Sequence, residues 1–353
     1  MTNTQFKLIE NGRVKQGLHS QPVDEINFRD FHLRTAMGKT AGAFKRWFGF
    51  NQFQFVSAIC PELIVGAAIV DTRIAVVSFV YIYHTASGKL HSYQFKAPTF
   101  GGFSSVNQTP DNGTWYFRQG QNSVELSCAN NERTLTVRLK DGTSVDMTFP
   151  MEEFDPIRLA TRVDINGFAY TQKMAGVPCK GQVSCKSGTF DLEELKACAS
   201  LDWSAGYLRR RCFWNWICLS GQMDDGRAIG VNGACFTNES SFNENGFWVD
   251  GKLYILPGIA FDYDPDKLFE PWSIYSNNQH SNNTVEGQHP GGNKLNLTFY
   301  PEGAQVEKNN FMIMASNFHQ LFGHFEGELT TADGEVITID KIYGFTEEHY
   351  AKW

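Results

Sequence analysis

The chain is poor in the features that mark the common cofactor- and metal-dependent enzymes. It has eight cysteines but no Cys-x-x-Cys pair; Cys179 and Cys185 are separated by five residues, with no histidine near them at ligand spacing. That predicts no zinc site, and no two histidines sit at helical metal spacing. No Gly-x-Gly-x-x-Gly follows a strand-like run, no Walker-type lysine loop occurs, and no Gly-x-Ser-x-Gly elbow is present. Dinucleotide-dependent, phosphate-cradling and α/β-hydrolase chemistries lose their sequence basis, and no cofactor is expected. Charge is scarce too: 20% of residues are charged, and the formal net charge is −7. Nucleic-acid binding needs a basic surface, and the only compact one is Arg209-Arg210-Arg211, more readily read as a salt-bridged rim. Long apolar runs are missing as well. The most hydrophobic region, 63–83, is broken by Asp71-Thr72-Arg73, which excludes a membrane-spanning helix there but leaves transient membrane contact open. The first residues form no apolar signal region, so a cytoplasmic protein with reduced thiols is expected. Oligomeric state leaves no trace in the sequence.

What the chain has is aromatic side chains and turns. Aromatics make up 14%, with 29 phenylalanines, in a chain of 353 residues. That is enough apolar surface for two cores and the lining of a pocket. Asn112-Gly113, Asp141-Gly142, Asp225-Gly226, Asp250-Gly251 and Asp333-Gly334 lie between runs rich in Val, Ile, Phe and Tyr. Such dipeptides supply the positive φ of tight hairpins. The runs 134–139 and 144–149, 247–249 and 253–256, 328–331 and 336–339, and 63–70 and 74–83 therefore read as hairpins. Helix signals are confined to 190–199, with Asp191 near its start, and to 346–352, with Thr346 as cap. The reading is all-β, with few short helices, built as barrels or barrel-like sandwiches. A cluster of Gly, Pro, Ser and Lys over 176–188 suggests a boundary between units 1–180 and 181–353. The polar stretch 276–294 reads as a surface loop.

The segment 202–218 organises the rest. It reads as a turn feeding a strand buried on both faces. On that strand Cys212, Trp214, Trp216 and Cys218 share one face, and Phe213, Asn215 and Ile217 the other. Two large aromatics two residues apart either line a cavity or fill a core. Asp202 beside Trp203 is a candidate acid if desolvated, and otherwise a turn residue bonded to nearby amides. His324, Glu326 and Glu328 would line one face of a strand. They form a general acid/base set if they point into a barrel and an ordinary polar face if they point to water. Glu244 enters a strand from a polar turn and could rim a pocket.

Several of these segments carry a resemblance. LDWSAGYLRRRCFWNW at 201–216, ENGFWVDGKL at 244–253, EPWSI at 270–274, FGHFEG at 322–327 and YGFTEEHYAKW at 343–353 occur in order. Together they resemble the signature of a bacterial family designated domain of unknown function 2804 (DUF2804), over nearly the full length. More remotely, Asp202-Trp203, Trp214-Asn-Trp216 and Asp224-Asp-Gly226 are similar to the acidic segment, Trp-x-Trp strand and Asp-Gly hairpin of carotenoid 1,2-hydratase and AttH-type proteins. That resemblance implies two lipocalin-like antiparallel barrels in tandem, with an apolar cavity for an isoprenoid or other lipid-like molecule.

Together these readings favour an enzyme, a hydro-lyase or isomerase, acting on a hydrophobic unsaturated lipid or isoprenoid. It would hydrate, cyclise or isomerise a double bond. Asp202 and Glu326 are the expected acids and His324 a proton relay. Trp203, Tyr207, Arg209, Trp214, Asn215, Trp216, Glu244 and Trp248 are the expected ligand contacts. The competing reading is a non-catalytic carrier of the same ligand, which needs the cavity but no buried acid. A third, a structural or partner-binding β-protein, predicts filled barrels without a cavity.

Overall fold

The architecture follows from one sheet that is covered on both faces. A computed structural model describes residues 6–237, 242–277, 292–311 and 314–352. Its eight-stranded sheet runs in the order Gly17–Leu18, Ile157–Val163, Gly167–Pro178, Cys198–Tyr207, Asn51–Ile59, Leu63–Asp71, Ala75–His84 and Lys89–Pro98. Strands Leu63–Asp71 and Gly167–Pro178 are buried along nearly their whole length. This is why 63–70 reads as a continuous apolar run rather than an alternating one. One face packs on a seven-stranded sheet whose central strands are Ser144–Pro150, Glu132–Arg138, Asn122–Ala129 and Gly113–Gln119. Between them lies the first core, with Trp115, Phe117, Phe149, Tyr170 and Trp203. The other face meets a nine-stranded sheet containing Arg211–Gln222, Val336–Lys352, Met314–Thr330 and Lys294–Phe311. That sheet curls around a second core, including Ile217, Phe247, Trp272, Phe299 and Phe325. A third cluster, with Phe55, Tyr81, Tyr83, Trp216, Phe322 and Phe345, seals the seam between the two units.

The fold is therefore all-β, two lipocalin-like antiparallel units in tandem. The Asp141-Gly142, Asp225-Gly226, Asp250-Gly251 and Asp333-Gly334 turns close hairpins as expected, each glycine at positive φ. The runs 63–70 and 74–83 pair as Leu63–Asp71 and Ala75–His84. Among the described residues no helix is long and apolar enough to cross a membrane.

Both expected helices are strand and turn. At 190–199, Asp191 Oδ1 accepts from the amides of Glu193 (2.9 Å) and Glu194 (3.0 Å), a single turn that leads into Cys198–Tyr207. The segment 346–352 pairs on one side with Arg211–Gln222 and on the other with Met314–Thr330. Two ladders outweigh the local helical preference of Thr-Glu-Glu-His. The glycines near 180 mark a bulge and corners within the N-terminal sheets. Gly176 has φ 77° and Gly181 φ 126°, and the chain passes to the nine-stranded sheet only between Tyr207 and Arg211. Sheet membership changes near 180, where the chain passes from the eight- to the seven-stranded sheet, and the nine-stranded sheet begins after 208–210. The loop expected over 276–294 falls mostly on 278–291, outside the described residues; Lys294 already begins a strand. Helix is confined to Ala43–Phe48 and two short 3₁₀ turns among the described residues.

The seam is tight at one point. A Cβ on Gly230 would lie 2.1 Å from the carbonyl carbon of Ala175, and one on Gly176 2.6 Å from the Gly230 amide. Here two backbones touch, and the buried Gly176 amide donates to Ser220 Oγ at 3.0 Å. Gly230→Val should destabilise the protein by about 1–3 kcal/mol by prising the sheets apart. Gly42→Ala, which meets nothing within 4 Å, should stay within about 0.5 kcal/mol of wild type. Urea midpoints check this; equal midpoints for the two variants would contradict the close approach.

Candidate functional site

Two rows of side chains face each other across the seam. In the eight-stranded sheet the register sets Lys173 opposite Asp202 and Asp202 opposite Phe55, with Thr171, Ser204 and Phe53 in the next row. In the nine-stranded sheet Trp216, Glu347 and Gln320 form one row, and Trp214, His349 and Phe318 the next. Residues directly opposite on one face sit about 4.5–5.5 Å apart at Cβ, so each row is a contiguous strip. The two strips enclose a cavity of about 540 Å³. Phe53, Phe55, Val77 and Phe79 line one wall and Trp214, Trp216, Ala234 and Phe318 the other, while Lys96, Arg209 and Glu307 belong to its lining as well. The cavity thus lies between the units; the interiors of the units are packed with apolar side chains.

Lys173, Asp202, Glu244, Glu347 and His349 all line this cavity. Lys173 Nζ is 2.6 Å from Asp202 Oδ2, 3.9 Å from Glu244 Oε1, and 5.5 Å over the Trp216 ring. Burial alone would lower the lysine's pKa, but Asp202, followed by Glu244, outweighs it and leaves the pKa above its ordinary value. Asp202 Oδ1 accepts from Ser204 Oγ at 2.9 Å. Glu347, 7% exposed, accepts from Gln320 Nε2 at 2.8 Å on one oxygen and from Trp214 Nε1 at 3.2 Å on the other. Burial is the main cause that pushes its pKa up to about 8; the Trp214 N–H and Lys173 pull it down, and Asp202 pushes it further up. His349, beside the Trp214 ring at 4.3 Å and bonded to Ser316 Oγ at 2.9 Å, is brought down to about 3 by burial, with His319 adding to the fall. The cavity therefore holds a protonated carboxyl and a neutral imidazole near neutral pH.

The expected residues divide by strand face. Asp202 lines the cavity, from the middle of a strand rather than a turn. Trp214 and Trp216 line it, as do Arg209, whose Nη2 donates to the Phe236 carbonyl at 2.7 Å, and Glu244. Trp203 points the opposite way from Asp202, into the first core against Trp115 and Tyr170. Tyr207 shares that face and donates to the Arg46 carbonyl at 2.8 Å. Asn215 turns away from the cavity toward Tyr263, to which its Nδ2 donates at 2.9 Å. Trp248 fills the seam itself, its indole N–H donating to the Asp155 carbonyl at 2.7 Å. His324 and Glu326 lie off the cavity. His324 Nδ1 is 2.7 Å from Glu302, and the Glu326 side chain is 46% exposed, so the polar-face reading applies to this strand. Sequence reasoning missed Glu347, His349 and Lys173. Lys173 had a signal: it is the only charged residue in the buried strand Gly167–Pro178, and a buried ammonium needs a carboxylate.

Glu347 and His349 make stability pH-dependent between about pH 3 and 8. Unfolding returns His349 to about 6.5 and Glu347 to about 4.5, their ordinary values. His349 is protonated only in the unfolded chain between about pH 3 and 6.5, so stability rises with pH there. Glu347 is protonated only in the folded chain between about pH 4.5 and 8, so stability falls with pH there. The urea midpoint should climb to about pH 4.5, hold level to about 6.5, and fall toward 8. In Glu347→Gln the alkaline fall should disappear and the acid limb remain; a variant that keeps the fall would contradict the assignment.

Comparison with known proteins places the chain in a family. No curated protein sequence matches the chain. Among solved structures, CghA, crystallised with Sch210972, superposes with a TM-score of 0.55 at 10% identity, over 86% of this chain and 88% of its own. An AttH-type protein from Nitrosomonas europaea aligns with a TM-score of 0.46 at 10% identity, over 84% of this chain and 92% of its own. Kievitone hydratase from Nectria haematococca aligns with a TM-score of 0.42 at 8% identity, over 86% and 88%. The family model matches residues 1–353, and the chain belongs to the family described as domain of unknown function DUF2804.

Proposed function

We propose that the protein is a cofactor-independent enzyme acting on a hydrophobic, unsaturated lipid or isoprenoid in the cavity at the seam. The observation that carries this reading is Glu347, a buried carboxyl with its pKa pushed up to about 8 and set among aromatic rings. A packed core needs no such group, because burying it costs free energy that an apolar residue would not. A general acid near neutral pH is the role such a pKa serves.

In the reaction, an alkene carbon takes the Glu347 proton: a C–H bond forms from the π electrons, and positive charge develops on the neighbouring carbon. The faces of Trp214 and Trp216 stabilise that charge, as an aromatic face does any cation within about 6 Å. The cation is quenched by water, by a second alkene of the same molecule, or by loss of a different proton, giving hydration, cyclisation or isomerisation. The proton released returns to the Glu347 carboxylate. Asp202 is a positioning residue here: it holds Lys173, whose ammonium stabilises the Glu347 anion once the proton has left. Carrier function alone gives Glu347 no task, which is why the catalytic reading is preferred.

The test begins with the protein purified from its own host. Native mass spectrometry and organic extraction should release an apolar, unsaturated molecule. Incubated with a lipid extract of that host, wild type should convert one component. Glu347→Gln should bind that component yet convert it at least about 100-fold more slowly, the usual scale of general acid catalysis. Full activity in Glu347→Gln would remove the acid from the mechanism. Retention of ligand without turnover by either protein would leave a carrier.

A further inference from the structure

The polar end of the cavity carries an unmet hydrogen-bond acceptor. Asp202 has Ser204 and Lys173 on its oxygens, and Glu347 has Gln320 and Trp214. Glu244 is different. It is 3% exposed, its Oε1 lies 3.9 Å from Lys173, beyond hydrogen-bond reach, and its Oε2 has no partner. Its position is fixed from behind. The Glu244 carbonyl accepts from Asn232 Nδ2 at 2.7 Å, and the Asn245 side chain accepts from the Ala234 amide at 2.7 Å while donating to the Pro257 carbonyl at 3.2 Å. The carboxyl is thus held in the cavity wall with one oxygen idle. Thr171, two residues from Lys173 on the same wall, also has a buried hydroxyl without a partner. Leaving a buried polar atom unsatisfied costs on the order of 1–3 kcal/mol, more if charged, and a ligand that supplies the missing group recovers it.

We infer that Glu244 is the specificity residue of this cavity, and that it selects ligands bearing a hydrogen-bond donor, a hydroxyl or an amine, at one end of an apolar body. Three carboxyl groups and one ammonium share this end. A donor head therefore meets an acceptor, whereas a carboxylate head meets further carboxyl groups around a single ammonium that lies 2.6 Å from Asp202 and 3.9 Å from Glu244. Fatty acids are accordingly poor ligands, and alcohols or amines of the same chain length good ones. The inference rests on the seam cavity being the ligand site, as in the function proposed above, and adds which end of the ligand is read and by what.

Displacement of Nile red by decanol, decylamine and decanoate at pH 7 tests it, with wild type and Glu244→Gln side by side. Wild type should release the dye at about tenfold lower concentrations of decanol and decylamine than of decanoate, the size of one net hydrogen bond. Glu244→Gln keeps the shape but offers a donor, and it should weaken decylamine about tenfold while improving decanoate. Equal displacement by all three compounds in wild type overturns the inference and leaves the cavity standing. An unchanged rank order in Glu244→Gln overturns the role of Glu244. Failure of the dye to bind at all overturns the cavity, and the proposed function with it. The wild-type rank order decides the matter even if the variant does not fold.

Discussion

Everything at the seam depends on an ion pair in an unusual place. Lys173 and Asp202 are cross-strand neighbours in the middle of a sheet covered on both faces, 2.6 Å apart and almost wholly buried. Removing one partner of such a pair leaves an uncompensated charge, at a cost of about 3–5 kcal/mol, whereas apolar replacement of both is often neutral. A fold under selection for stability alone has no need of it. The pair sits where the two units fail to close on each other. Phe55, Trp216 and Phe345 seal the seam on one side of it, and beyond it the rows of Phe53 and Trp214 stand apart around the cavity.

The same geometry explains why the site lies between the units rather than within either. Each interior is occupied by its own large side chains, Trp115 and Trp203 in one and Trp272 and Phe299 in the other. The outer faces of the eight- and nine-stranded sheets remain, and twisted sheets laid face to face diverge away from their line of closest contact. That contact is at Gly176 and Gly230, where only the absence of side chains lets the backbones touch. From there the apolar rows run outward, and the lining also takes in Lys96, Arg209 and Glu307, none of them fully buried. Glu347 lies at the covered end of this wedge, and burial there is what raises its pKa.

Local patterns in the sequence carried the fold class and part of the site. The Asp-Gly turns and the twofold alternation at Trp214 and Trp216 were legible because hairpin geometry and strand faces are short-range properties. That rule also separates Asp202 from Trp203: on a strand, only one of two adjacent residues can face the cavity. The expectation grouped them because the segment read as a turn. Glu347 was hidden because Thr-Glu-Glu-His has the local character of a helix start, and only the ladders on its two sides make it strand. His324 and Glu326 had the right residue types on the right periodicity, but which face of a strand meets water is decided by distant packing. The meeting of Lys173, Asp202, Glu244 and Glu347 is a long-range fact, set by three strands, the loop before Gly246–Val249 and the stacking of two sheets, and no local pattern encodes it.

The central claim is that Glu347 holds a proton at neutral pH inside the cavity. Infrared difference spectroscopy of the carboxyl stretch, wild type minus Glu347→Gln, reads this directly across a pH titration. The account predicts a protonated carboxyl band that persists through pH 6 and is lost with a midpoint near 8. A band already lost by pH 5, in the range of an ordinary glutamate, would contradict it.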